Sequence, residues 1–282
     1  MRYFRVEVPG DRINIYPLVC WHLGAKQSSH KFIERVIAEI KRDPHARWIY
    51  MGDAGECVTN CSKGNVFEQL ISPGAQLRLA GDLLIPIKHK AIGGVRGNHG
   101  NRIDKETGLG WDETLCSRIG IPYFGVAAFG DILFKGRNAL RSTFSIFVHH
   151  GSASAITSGG KVTAGYKPSQ IVEADVILTA HTHACGELFS RHFARTNGHC
   201  RRIDWRTQRA YVCGSAYDSR SGYAEEKMYQ PILPEHLVIS VRQWRTDRKD
   251  ERRTAQEFTY RKIQGFAVTD ANREDLYKWG WE

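Results

Sequence analysis

Five times along this chain an apolar run stops abruptly in a short loop of cysteine, histidine, aspartate, asparagine or glycine. INIYPLV (13–19) runs into Cys20-Trp21-His22, and ARWIYM (46–51) into Gly52-Asp53. AIGGVR (91–96) runs into Gly97-Asn98-His99, TFSIFV (143–148) into His149-His150-Gly151, and VILTA (176–180) into His181-Thr182-His183. Short apolar runs bounded by turn residues read as buried strands. Loops that follow strands are where α/β folds gather their polar side chains. The residue types in these loops are also ligands of first-row metals. In the first loop, strand alternation predicts that Cys20 and His22 project to the same side.

Between these runs the period changes. SSHKFIERVIAEIKR (28–42) carries Phe32, Ile33, Val36, Ile37 and Ile40 at helical spacing, and Pro44 closes it. QLRLAGDLLIPIKHK (76–90) reads as helix interrupted by Pro86, and WDETLCSRIG (111–120) as a short helix ending at glycine. PYFGVAAF, DILFKG and TFSIFVHH then read as consecutive strands, and GELFSRHF, RRIDWRTQRAYVCGS and HLVISVRQWR continue in the same way. SASAITSGGKVTAG (152–165) reads as a glycine-rich loop, either a flank of the substrate site or plain surface. Alternating strands and helices followed by a strand-rich half predict an α/β fold, with two mixed β-sheets packed face to face and helices outside. The expected organisation is one domain over 1–234, with 235–282 as a β extension packed on it.

At 41% hydrophobic and 25% charged residues the composition is that of a globular protein. No apolar stretch is long enough to cross a bilayer, and the start, MRYFRVEVPGDR, lacks a signal-peptide core. Seven cysteines without small-domain spacing fit a reducing cytoplasm. The net charge of +10 points to polyanions, with nucleic acid first. The excess gathers in 191–209 and 241–253, each rich in arginine with one tryptophan among them, and the alternative is a solvated hairpin face, because Asp247, Asp250 and Glu251 offset part of the second segment. Cys57-x3-Cys61 lacks the two further ligands a zinc site needs. No phosphate-binding, dinucleotide-binding or serine-hydrolase motif is present.

The order of the five loops resembles the calcineurin-like metallophosphoesterases. Their pattern runs Asp-x-His, Gly-Asp, Gly-Asn-His, a histidine before glycine, and Gly-His-x-His. The resemblance covers about 13–183. HLGAKQSS, PHARWIYMGD and GNHGNR are similar to the phage and prokaryotic branch, and YVCGSAYDSRSGYAEEKMYQP to the closing part of those domains, near residue 234. It implies a four-layer αββα sandwich and two divalent metal ions (manganese, zinc or iron). Asp53 would bridge the ions. Position 20, His22 and His183 would complete one site, and Asn98, His150 and His181 the other. His99 would stay off the metals and protonate the leaving oxygen or stabilise the transition state. The implied nucleophile is a hydroxide activated by the two metals. Arg102, three residues on, reads either as a group that binds a substrate phosphate, a geometry that arginine suits, or as a solvated loop arginine. His149 reads as structural, since alternation turns it away from His150.

Two loops depart from the pattern. Ala180 replaces a glycine, which changes little. Cys20 replaces the first aspartate, and three readings stay open. The thiolate ligates a softer metal, or the first site is weak and the second ion dominates, or catalysis is lost and the fold kept. The expected activity is hydrolysis of a nucleic-acid or nucleotide phosphodiester. The alternatives are a phosphomonoesterase acting on a small or protein-borne phosphate, and a catalytically impaired module that binds metal and nucleic acid.

Overall fold

The computed structural model describes residues 1–62, 64–135, 141–152, 157–195, 203–220, 223–226, 228, 230–248 and 251–265. It is a mixed α/β structure built on one large mixed sheet. Strands β2 (Arg12–Leu18), β3 (Ala46–Tyr50) and β4 (Ala91–Gly94) run parallel. Strands β6 (Arg141–His149), β7 (Val176–Thr179) and β9 (Ile203–Ser215) form a second parallel group. β5 (Ala127–Lys135) lies antiparallel to β6 and parallel to the edge strand β1 (Arg2–Pro9). β8 (Cys185–Arg195) pairs with β9, and β11 (Glu251–Gln264) with β10 (Glu235–Arg248).

The two parallel groups are not separate sheets by hydrogen bonding. β10 pairs with β2 on one side and touches β9 through Glu235↔Ser215 and His236↔Gly214. The ladder therefore runs on as β1-β5-β6-β7-β9-β10-β2-β3-β4. Its two ends approach through the segment after β4. Gly94 bridges Tyr123, Arg2 Nη1 donates to the Tyr123 carbonyl at 2.8 Å, and Phe4 stacks on Phe124 at 5.1 Å.

Helices cover the sheet from outside. α1 (His30–Arg42) buries Phe32, Ile33, Val36, Ile37 and Ile40, the stripe its spacing predicts. It packs with α2 (Pro73–Leu84) and α4 (Trp111–Ile119) over Tyr16, Trp48 and Tyr50. α2 starts at Ser72, whose hydroxyl accepts from Ala75 N, with Pro73 in the first turn. α5 (Ser158–Tyr166) lies beside β7 and β9, where Tyr166 packs on a small cluster holding Phe147, Ile177 and Ala210. A third apolar cluster draws on both parallel groups, with Ile13, Ile15 and Ile49 from one and Ile146, Val176 and Tyr211 from the other.

Three local expectations are corrected. PYFGVAAF and DILFKG are not two strands, because β5 runs unbroken from Ala127 to Lys135. Arg102 does not sit in a loop, because α3 (Gly100–Thr107) carries it and ends at the left-handed Gly108. The glycine-rich 152–165 segment is not a loop over its second half, which is α5. Gly165 serves close packing, since a Cβ there would lie 2.2 Å from Val212 Cγ2. Residues 153–156 fall outside the described set.

Candidate metal centre

The five loops meet at the ends of β2, β3, β4, β6 and β7. Their backbone is unusual, since Cys20 (φ 50°), His22 (51°), Asp53 (58°), His181 (68°) and His183 (58°) all adopt the left-handed conformation. Each such residue costs of order 1–2 kcal/mol, so the surroundings must hold it in place. They do so through main-chain bonds between loops. Cys20 N donates to Gly52 O at 3.2 Å, His22 N to Asp53 O at 3.1 Å and Leu23 N to Ala54 O at 2.8 Å. Ser215 Oγ and Ala216 N both donate to Cys20 O, at 3.1 and 3.0 Å. Cys20 and His22 thus lie beyond the last residue of β2. They share a side through matching left-handed turns, which corrects the pleat argument made from sequence.

The Gly-Asp and Gly-Asn-His loops touch backbone to backbone. A Cβ on Gly52 would fall 2.4 Å from Gly97 Cα, and one on Gly97 would fall 2.1 Å from Asp53 Oδ1. Only glycine at both positions allows this approach. It lets Asp53 Oδ1 accept from His99 N at 2.8 Å. Behind the loops, buried Asp112 accepts from Gly97 N at 3.1 Å and from the Tyr50 hydroxyl, which itself accepts from Ala54 N at 3.2 Å. Burial pushes the Asp112 carboxyl up to about 7, against the opposing pull of the Tyr50 hydrogen bond.

His150 is held from outside and crowded from inside. Its Nδ1 donates to Met51 O at 2.6 Å, which fixes the tautomer. Its Nε2 then faces two oxygens, Asn98 Oδ1 at 2.9 Å and Asp53 Oδ2 at 2.9 Å. A lone pair aimed at two oxygens is repulsive, so the position calls for a cation, either a proton or a metal. Burial opposes the imidazolium, but the Asp53 carboxylate outweighs it and raises the His150 pKa. Asp53 Oδ2 is fully buried and accepts no well-directed hydrogen bond. Burial would raise the Asp53 carboxyl, yet His150 and His99 hold it well below the usual range.

A matching arrangement stands on the other side. His22 Nδ1 donates to Glu56 Oε2 at 2.8 Å, and His22 Nε2 meets His183 Nε2 at 3.0 Å. Burial, followed by the charge of His22, lowers the His183 pKa well below the usual value. Cys20 is fully buried, and burial together with the Asp53 charge pushes its thiol well above the ordinary range. The ligand atoms of Cys20, His22 and His183 lie within 4.8 Å of one another, as do those of Cys20, Asp53 and His150, and those of His22, Asp53 and His99. Cys20 therefore belongs to two of the three groups. His181 is half-buried beside His150, with ring centroids 5.4 Å apart, and belongs to none of them. Burial and the neighbouring His150 lower its pKa to about 4.

His99 has both nitrogens engaged. Its Nδ1 donates to Glu56 O at 2.8 Å, and its Nε2 lies 3.3 Å from Arg102 Nη2. Burial lowers its pKa. Arg102 is not extended into solvent, since Nη1 donates to Glu56 O at 3.0 Å and sits 3.6 Å from Glu56 Oε1. Glu56 thus ties His22, His99 and Arg102 together, and their charge interactions and the His22 hydrogen bond bring its carboxyl down to about 2 against its burial. Sequence reasoning missed Glu56, Asp112 and Tyr217, whose ring lies 5.3 Å from that of His22. The only sequence signal for Glu56 was an acid three residues after Asp53. His149 accepts from Gly151 N at 2.8 Å and stacks on Phe147, a structural role.

The donor set fits divalent cations. It offers a buried carboxylate oxygen without a hydrogen bond, imidazole nitrogens that converge with their outer nitrogens held by oxygens, a thiol and an amide oxygen. Cys57 is buried and Cys61 exposed. In the basic segment 191–209, Arg206 pairs with Glu173, while Arg209 lies 3.9 Å from Glu187 and 4.7 Å above Phe258. Residues 196–202 and 249–250, and the side chains of 192, 194–195, 203–205, 245–248 and 251–253, lie outside the described set. Among the described residues no helix is long and apolar enough to cross a membrane. No family model matches the chain, and no curated protein matches it.

Proposed function

We propose that the chain is a metal-dependent phosphoesterase of the calcineurin-like type, with two divalent cations held in this cluster. One observation carries the reading. His150 and His22 each have Nδ1 held by an oxygen, at 2.6 and 2.8 Å, and each turns Nε2 toward other electron-pair donors. Histidines that ligate metals are held in this way. Cys20, His22, His183 and Asp53 would hold one ion, and Asp53, Asn98, His150 and His181 the other. Bound there, the ions would supply Lewis acidity and a water of lowered pKa.

The chain's own residues do the rest. Asp53 orients the Asn98-His99 loop through its bond to His99 N. The Glu56 carbonyl fixes Nδ1 of His99, which leaves Nε2 to exchange a proton with the leaving oxygen, beside the Arg102 guanidinium. The Arg102 guanidinium stabilises charge that develops on the phosphoryl oxygens.

The same reading takes the strands on either side of the β9–β10 link as two mixed sheets packed face to face, a four-layer αββα arrangement. The apolar cluster shared by both groups supports it. The substrate class is a nucleic-acid or nucleotide phosphodiester, on the strength of the +10 charge, and the compartment is the cytoplasm, on the odd cysteine count.

The test pairs elemental analysis of the purified protein with hydrolysis of bis(p-nitrophenyl) phosphate and p-nitrophenyl phosphate. Two equivalents of metal and a preference for the diester are expected, with Asp53→Asn abolishing hydrolysis and lowering metal content. Near wild-type turnover in Asp53→Asn would sink the two-metal reading. A preference for the monoester would move the chain to the phosphomonoesterases, and metal without hydrolysis would leave a binding module.

A further inference from the structure

The β8–β9 ladder sets Cys185 directly opposite Cys213. The adjacent pair, Ala184 and Gly214, is joined by a hydrogen bond from Gly214 N to Ala184 O at 2.8 Å. Antiparallel ladders alternate, so Cys185 and Cys213 form a non-hydrogen-bonded pair. Such residues have Cα atoms about 4.5 Å apart and side chains on one face, within the window of about 4.4–6.8 Å that a disulfide spans. Cys213 is fully buried in the apolar cluster that also holds Cys20, and Cys185 packs half-buried at its margin. Both thiols are free.

We propose that Cys185 and Cys213 are a dithiol redox site that a small disulfide of the glutathione class oxidises to a cross-strand bridge. Cys185 is the more exposed of the two and reacts first. Its sulfur attacks one sulfur of the oxidised glutathione, forms a mixed disulfide and releases one glutathione thiol. Cys213 Sγ then attacks Cys185 Sγ and releases the second. Two protein thiols lose two electrons and two protons, and the glutathione disulfide gains them as two thiols. The bridge would clamp the centre from behind. Cys185 stands two residues after His183, and Cys213 two before Ser215, whose hydroxyl holds the Cys20 carbonyl at 3.1 Å. Among the described residues no strand pairing sets another cysteine opposite Cys20, which the proposal leaves reduced. The inference does not depend on the metal reading.

The test incubates the full-length protein with oxidised glutathione, alkylates the remaining thiols under denaturing conditions and maps peptides by mass spectrometry. A background of Cys61→Ser and Cys200→Ser removes the exposed thiol and the one cysteine outside the described residues. The expected product is a Cys185–Cys213 peptide pair lighter by two hydrogens, with Cys20 alkylated, and a higher melting temperature than the reduced protein. Cys185→Ala should abolish both changes and leave Cys213 alkylated. A glutathione adduct that stays on Cys185, a Cys20–Cys213 pair, or full alkylation of Cys185 and Cys213 would each overturn the proposal.

Discussion

His22 and His183 meet Nε2 to Nε2 at 3.0 Å, across 161 residues of chain. Glu56 holds the His22 proton on Nδ1, so the His22 Nε2 is a lone pair. With no cation between them, the contact is favourable only if His183 donates from its own Nε2. A cation that takes both lone pairs moves that proton to His183 Nδ1. Glu56 therefore sets which nitrogen of His22 is offered to a metal.

This makes Glu56→Gln informative. The amide keeps the shape and loses the charge that fixes His22. Metal affinity of the Cys20, His22 and His183 group should fall by roughly 10–100-fold, the usual cost of removing such a partner. The ion beside His150 should be retained. Metal counted per chain during chelator titration reads both ions, and equal loss of the two would place Glu56 in a general structural role.

His99→Ala should keep both ions and lose roughly 10²–10⁴-fold in rate, the range of a lost proton-transfer group. The reason is that His99 Nε2 faces Arg102 at 3.3 Å, whereas His150 Nε2 faces Asn98 and Asp53. His150→Ala should lose metal. Elemental analysis of the two variants side by side separates the roles, and comparable metal loss in both would make His99 a ligand.

The loops themselves were legible because their residue types are few and each follows an apolar strand. How they meet was not legible. Cys20 and His22 share a side through left-handed turns held by Gly52 O, Asp53 O and Ser215, partners 30 to nearly 200 residues away. Asp112 carried no signal, because an acid in the first turn of a helix is ordinary until Gly97 and Tyr50 are seen to reach it. α3 was hidden because its one buried residue is Gly100, which leaves no apolar stripe. β1 was missed because RYFRVEVP has no continuous apolar run, although its alternation of Phe4, Val6 and Val8 with charged residues is the signal of a half-buried strand. The sequence placed β10 in a β extension packed on the domain, and its place between β9 and β2 in the sheet was not legible there.

His236 predicts an acid limit on stability. It is buried with Nδ1 3.1 Å from Pro17 O, its ring edge-on to Phe32, and its Nε2 without a partner. Burial lowers its pKa from 6.5 to about 4, against the weaker pull of the Pro17 carbonyl. The unfolded chain takes its proton near 6.5 and the folded chain only near 4, so stability is whole above that window and falls as the pH drops through it. His236→Phe removes this proton. Between pH 7 and pH 5 the wild type should lose about 2 kcal/mol more than the variant in urea unfolding. Parallel losses in the two proteins would assign the acid sensitivity to other groups.

Cys20 decides the character of the centre. Its sulfur is within 4.8 Å of the ligand atoms of His22 and His183 on one side and of Asp53 and His150 on the other. Burial and the Asp53 carboxylate hold the thiol in its neutral form, and a bound cation reverses that balance by favouring the thiolate. A thiolate ligand makes the site softer, favouring zinc or iron over manganese. Cys20→Asp should move preference toward manganese with activity kept or raised. Cys20→Ala should lower occupancy of the ion beside His22 and His183 and leave the ion beside His150 in place. If Cys20 is a spectator, Cys20→Ala will change neither metal content nor rate, and Cys20→Asp will gain metal that the native protein lacks. The two cases differ in the sign of the change, so metal counted per chain in the two variants tells them apart.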